Sequence, residues 1–179
     1  MTGEKSINFS FVQVWCDFEK QYERYTIVGE QPVKYQSATK IKQLPNLSKQ
    51  FHLQFQFLNL ESINISSVSD ARHVVNFNVL ENNDVEASRE NHELIFKFAK
   101  GADEKTEYRV YKSVFEGGKW NQMEIKTWKD EDGTLTVIAY LNEEKVLYGA
   151  IVEDFPVVES IDIEVNGQIR NFFVYNKYE

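Results

Sequence analysis

A single cysteine among 179 residues excludes an intrachain disulfide, so the chain is not a disulfide-stapled scaffold. Cys16 stands among Phe11, Val14, Trp15 and Phe18, which reads as a small buried hydrophobe rather than a nucleophile. Three prolines and eight glycines leave no Pro/Gly-rich linker where a second domain would begin, and there is no internal repeat. Lys/Arg-rich runs are also missing. Basic residues number 20 against 28 acidic ones, for a formal net charge of -8, so a nucleic-acid backbone would be repelled. No apolar run approaches the ~20 residues of a membrane-spanning helix. The opening MTGEKSINFSFVQVW has no apolar segment of about 7–15 residues behind a basic one. These absences give the expectation of a leaderless, cytoplasmic protein without a membrane span or nucleic-acid partner. Secretion by a route that needs no signal peptide stays open.

What is present is a 42% hydrophobic, 14% aromatic chain, enough for one sizeable core and too little for two. Period-2 alternation dominates, so the expected class is all-β. In FHLQFQF, Phe51, Leu53, Phe55 and Phe57 point inward while His52, Gln54 and Gln56 face water; in HVVNFNV, Val75, Phe77 and Val79 are inward and Asn76 and Asn78 outward. Further strands are expected at 94–98, around 107–115, at 122–128, 134–141, 161–165 and 169–175. Asn166-Gly167 reads as the tight turn of a terminal hairpin. Residues 33–42, with their lysines, read as an edge. SINFSFVQVW reads as a strand, and DFEKQYERY as a helical turn or an irregular connection. Strands at this spacing predict an antiparallel two-sheet sandwich.

Sites for chemistry are few. KDEDG (129–133) has the wrong register for an EF-hand: with Gly133 sixth, positions one and twelve fall on Trp128 and Ala139. It reads as a hairpin turn. Asp162 and Glu164 share a strand face as in laminarinase-type glucanases, but Ser160 stands where the first of the three carboxylates would be, and retaining hydrolysis needs two carboxyls about 5–5.5 Å apart. His52, His73 and His92 lack metal-ligand spacing and read as surface residues. No catalytic residue, metal or cofactor is assigned, and the chain reads as non-enzymatic. The sequons at Asn8, Asn46 and Asn64 are what a chain rich in Asn and Ser holds by chance.

EYRVYKSVFEGGKWNQMEI resembles the galectins, whose sandwich carries Trp-Gly-x-Glu-x-Arg, then Phe-x-x-Gly, then a hydrophobic strand. Glu107 and Arg109 take the Glu-x-Arg positions, Phe115 and Gly118 the next landmark, and Met123 and Ile125 the strand. LTVIAYLNEE and SIDIEVNGQIRNFFVY are similar to later family strands. NFNVLENN is similar to the family's His-x-Asn-Pro-Arg, with Asn76, Asn78, Val79 and Leu80 in those positions. The family's stacking tryptophan falls on Glu104 and its glycine on Lys105. The resemblance covers roughly residues 33 to 176 and implies an antiparallel two-sheet jelly-roll β-sandwich of galectin/concanavalin A-like type over 33–179. Residues 1–32 then form an extension packed on it.

The resemblance also implies a binding face of Asn76, Asn78, Glu107 and Arg109, with Trp120 as a substitute aromatic platform. Galectins hold β-galactosides by stacking on the tryptophan and bonding hydroxyls through His, Asn, Arg and Glu. Leucine in place of an arginine donor leaves hydroxyls unpartnered, at about 1–3 kcal/mol each when buried. The implied function is a galectin-like module with lost or weakened β-galactoside recognition that acts through protein contacts. The alternative is a lectin of altered glycan specificity. The partner is thus a protein or a glycan, and an exposed edge strand or the aromatic N-terminal extension offers a route to a homodimer.

Overall fold

Alternating side chains build strands, and ten are found in the computed structural model, which describes residues 22–69, 73–82, 91–99, 105–112, 118–151 and 158–177. In chain order they are β1 (Tyr22–Val28), β2 (Val33–Leu47), β3 (Phe51–Ser67), β4 (His73–Asn82) and β5 (Asn91–Ala99). Then come β6 (Lys105–Lys112), β7 (Asn121–Lys129), β8 (Leu135–Leu141), β9 (Glu144–Ala150) and β10 (Val158–Lys177). No helix occurs among the described residues, so none there is long and apolar enough to cross a membrane. All pairings are antiparallel.

Two long strands decide the architecture. β3 and β10 run side by side from Ile161 opposite Ser67 to Asn176 opposite Phe51. On its other edge, β3 pairs with β7 through residues 52–57 and with β4 through 62–66. β10 divides in the same way, holding β2 along 158–169 and β1 along 172–177. A first sheet, β2-β10-β3-β4-β5-β6, and a second, β1-β10-β3-β7-β8-β9, therefore share their two central strands. The result is an antiparallel jelly-roll β-sandwich.

The shared strands bend where they pass between sheets. Asn59 in β3 and Asn171 in β10 take φ of 50° and 49°, a left-handed conformation that asparagine tolerates better than most residues. Gly167 lies against the β3 bend: a Cβ there would stand 2.6 Å from Leu60 Cα and 2.7 Å from the Asn59 carbonyl oxygen, at a φ of 125°. This corrects the expected terminal hairpin. Residues 161–165 and 169–175 belong to one strand, and Asn166-Gly167 is a register irregularity inside it. The glycine serves a close backbone approach, not a turn.

The inner faces hold the residues that alternation assigns to them. Phe51, Leu53, Phe55, Phe57, Val75, Phe77, Leu94, Phe96, Phe98, Met123, Ile125, Leu135, Val137, Ala139, Leu141, Ile161, Ile163 and Val165 are all buried. Phe55 anchors the centre, with ring centroids of Phe172 at 5.5 Å and Phe77 at 5.8 Å. Opposite β3 and β10, the sandwich is almost closed by β6 and β9. The Tyr108 hydroxyl donates to the Ala150 carbonyl, and its ring covers Gly149.

Several expectations change. The end of DFEKQYERY, from Tyr22, is strand β1 paired with β10, not a helical turn. β9 has no counterpart in the sequence reading, and β3 runs ten residues past Phe57. The KDEDG turn is a hairpin turn: Gly133 N donates to Asp130 O at 2.9 Å, and the Asp130 carboxylate accepts from Trp128 Nε1 and Thr136 Oγ1 at 2.6 and 2.5 Å. SINFSFVQVW, Cys16 and its neighbours, Glu104 and Phe115 lie outside the described residues.

Candidate binding faces

The register of the first sheet sets its outward side chains in rows. Glu164, Asn64, Asn76, Lys97 and Glu107 are successive partners across β10, β3, β4, β5 and β6; Asn166, Ser62, Asn78, Ile95 and Arg109 form the next row. Leu80 and Glu93 follow. Four of the sequence-derived candidates, Asn76, Asn78, Glu107 and Arg109, are thus brought onto one face. The β5 side chains between them, Glu93, Ile95 and Lys97, are part of it too.

These groups are occupied with one another. Arg109 Nε donates to Glu107 Oε1 at 2.7 Å and its Nη1 to Glu93 Oε1 at 2.9 Å. Hydrogen bonds to Glu107 and then Glu93 hold the guanidinium pKa above its ordinary value. Lys97 Nζ lies 3.7 Å from Glu107, so two carboxylates and two cations cancel. The Asn78 amide donates to Asn76 Oδ1. Ile95, 4% exposed, is buried among them although it lies outside the main core. Leu80 is 46% exposed.

Trp120 is not brought to these rows. It immediately precedes β7 in the second sheet, half-buried, with the Arg170 guanidinium 4.3 Å from its ring centroid. Arg170 is fixed by donating to Gln56 Oε1 at 2.7 Å. On the first sheet, Asp162 is 7% exposed and paired with Lys40, while Glu164 accepts from Asn64 at 3.4 Å. Each carboxylate is held by a neighbour, as in a structural polar face. The sequon Asn64 is itself 9% exposed.

The second sheet has an outer face that the sequence reading leaves aside. One row runs Arg24, Tyr175, His52, Lys126, Ile138, Tyr148; the next runs Thr26, Phe173, Gln54, Glu124, Tyr140, Lys145. His52, read as a surface residue, is corrected here: its side chain is 13% exposed and stacks on Tyr175 at 5.1 Å between centroids. Burial, with Lys126 adding to it and Glu124 opposing, lowers its pKa to about 4. A groove of about 320 Å³ opens beside it, lined by Gln122, Glu124, Lys126, Ile138, Tyr140 and Glu143. The sequence signal was the wet side of β3, β7 and β8, which alternation marks as polar without showing that the three strands adjoin.

In fold, the chain is similar to a native heptameric SAP-like pentraxin from Limulus polyphemus, with 11% identity and a TM-score of 0.53 over 86% of this chain and 75% of that one. It is also similar to the carbohydrate recognition domain of Emp47p, with 8% identity and a TM-score of 0.52 over 89% of each chain. The Caenorhabditis elegans galectin LEC-6 aligns at 14% identity with a TM-score of 0.48, over 87% of this chain and 96% of its own. At such identities the likeness is one of fold. No protein-family profile and no curated protein sequence matches the chain.

Proposed function

We propose that this protein, built on a lectin-type sandwich, is a non-enzymatic binding module whose β4-β5-β6 face has lost or weakened β-galactoside recognition and acts through protein contacts. The observation that carries this reading is the mutual pairing of the face: Arg109 with Glu107 and Glu93, Lys97 with Glu107, Asn78 with Asn76. A sugar hydroxyl must share or displace those bonds, and bonds to charged groups are worth about 1.5–3 kcal/mol each. An exposed leucine beside self-neutralised charges instead matches the apolar centre and polar rim of a protein interface.

The second reading, a lectin of altered specificity using the same face, is favoured by Arg109, whose side chain stays 51% exposed beside Glu107 and Asn78. Isothermal titration with lactose, followed by a glycan-array screen, separates the two. The expected result is no saturable lactose heat at millimolar concentration. Lactose binding at millimolar or tighter affinity that Arg109→Ala abolishes overturns the proposal. Array binding to another glycan, lost in the same variant, establishes the second reading.

A further inference from the structure

The outer face of the second sheet gathers a separate set of polar side chains around a tyrosine ring. Its groove of about 320 Å³ lies at the lower end of small-molecule clefts, about 300–1,000 Å³, a size for a short saccharide rather than a folded partner. Glu124, one of its lining residues, is held in place: Lys126 Nζ lies 2.8 Å from Oε2, Gln122 Nε2 donates to Oε1 at 3.4 Å, and His52 Nε2 stands 3.7 Å away. Burial pushes the carboxyl pKa up, but Lys126, His52 and Gln122 together outweigh it and leave it below its ordinary value. The carboxylate is therefore ionised at neutral pH, and its side chain remains 24% exposed, with lone pairs to spare for incoming donors.

Tyr140, the cross-strand partner of Glu124, supplies a ring. The Lys126 ammonium is 5.7 Å from that ring's centroid, near the ~6 Å limit of a cation–π contact, so the ring is steadied without being covered closely. Around it stand a cationic donor (Lys126), an amide that donates and accepts (Gln122), two carboxylates (Glu124, Glu143) and a phenol. An anionic ligand would meet both carboxylates. An apolar segment would find only Ile138 to pack against and would strand the charges. A polyol with one CH-rich face satisfies all of these groups together, stacking on the ring while its hydroxyls donate to Glu124 and accept from Lys126 and Gln122. We infer that this groove is a subsite for an uncharged saccharide, on the side of the sandwich opposite the β4-β5-β6 face. The inference goes beyond the functional reading above and does not rest on it.

The test is NMR on the isotope-labelled full chain, titrated separately with lactose, maltose, cellobiose and N,N′-diacetylchitobiose. At least one disaccharide should shift the amides of Gln122, Glu124, Ile138 and Tyr140 saturably. Glu124→Gln, which keeps the side-chain shape, should weaken that binding about tenfold, equivalent to about 1.4 kcal/mol. Tyr140→Ala, checked for folding by thermal melting, should abolish it, and Arg109→Ala should leave it unchanged. No amide shift with any of the four up to tens of millimolar overturns the inference and leaves the functional reading standing. So does binding at this groove that is indifferent to both Glu124→Gln and Tyr140→Ala. Shifts with lactose confined to Asn78, Ile95 and Arg109, with no groove shift from any of the four, overturn both.

Discussion

Lowering the pH from about 7 to about 4.5 should cost this protein about 2 kcal/mol of stability through His52 alone. The imidazole is buried against Tyr175, and its Nε2 has no hydrogen-bond partner. In the folded protein burial brings its pKa down to about 4, whereas in the unfolded chain it titrates near 6.5. Between those values the unfolded chain takes up a proton that the folded one refuses, so stability is complete above the upper value and declines as pH falls. Complete passage through the window is worth about 3 kcal/mol at about 1.4 kcal/mol per pH unit, and a fall to about pH 4.5 covers most of it. Glu124 contributes separately and lower down. Its pKa lies below the ordinary 4.5, because Lys126, His52 and Gln122 outweigh its burial, and its stabilisation is lost only as pH falls through that lower value. Urea unfolding followed by tryptophan fluorescence, at intervals across this range, measures the slope in the native protein and in His52→Phe. Phenylalanine keeps a ring against Tyr175 and cannot be protonated. The variant should therefore lose about 2 kcal/mol less than the native protein over the same interval. Parallel slopes for the two proteins would refute the argument, because the loss would then belong to other groups.

Two further predictions concern places where a side chain has no room. Gly167→Ala sets a Cβ 2.6 Å from Leu60 Cα at a φ of 125°, and backbone cannot yield as a side chain does, so it should cost at least about 3 kcal/mol. Gly118→Ala, at a φ of 79° but in open space, should cost about 1 kcal/mol; equal losses in urea unfolding would show that the close approach is not the cause. Gly149→Ala drives a methyl to 2.6 Å from Tyr108 Cζ and should destabilise by about 1–3 kcal/mol. Combining it with Tyr108→Ala should recover at least about 0.5 kcal/mol relative to the sum of the single changes, and strict additivity would refute the contact.

Strands were legible wherever one side of the chain is buried and the other wet. Phe51 to Phe57, Met123 to Thr127 and Val137 to Leu141 declare their inner faces residue by residue. β9 was silent because Leu147 alone is buried between Glu144 and Ala150, and an edge strand so thinly covered has almost no period to detect. β10 misled because Asn-Gly is a strong local turn signal, and nothing local says that Leu60 and Asn59 will lie against the glycine. The same limit applies to the faces. Glu107 and Arg109 are two apart in sequence, so their pairing was visible; Glu93 and Lys97, which complete the set, arrive through the β5–β6 register. His52, Glu124 and Tyr140 come from three strands whose neighbourhood is fixed only when β3, β7 and β8 pair.

The position of β10 bears on how this chain acquires its structure in time. It is the last of the ten strands, yet it lies inside both sheets, with β3 on one edge and β1 and β2 on the other. Until it is synthesised, β3 has one bare edge, and β1 and β2 have no strand to join. Hairpins such as β4-β5 and β7-β8 can form early from nearby residues, but the core that Phe55 and Phe172 share must wait for a closure across more than a hundred residues. Such pairings are paid for in loop entropy before they are rewarded, which places folding in the millisecond-to-second range rather than the microsecond one. A ribosome-bound fragment ending before Val158 would display the β3 edge to any passing strand. Chaperone cover during synthesis would matter most in that interval.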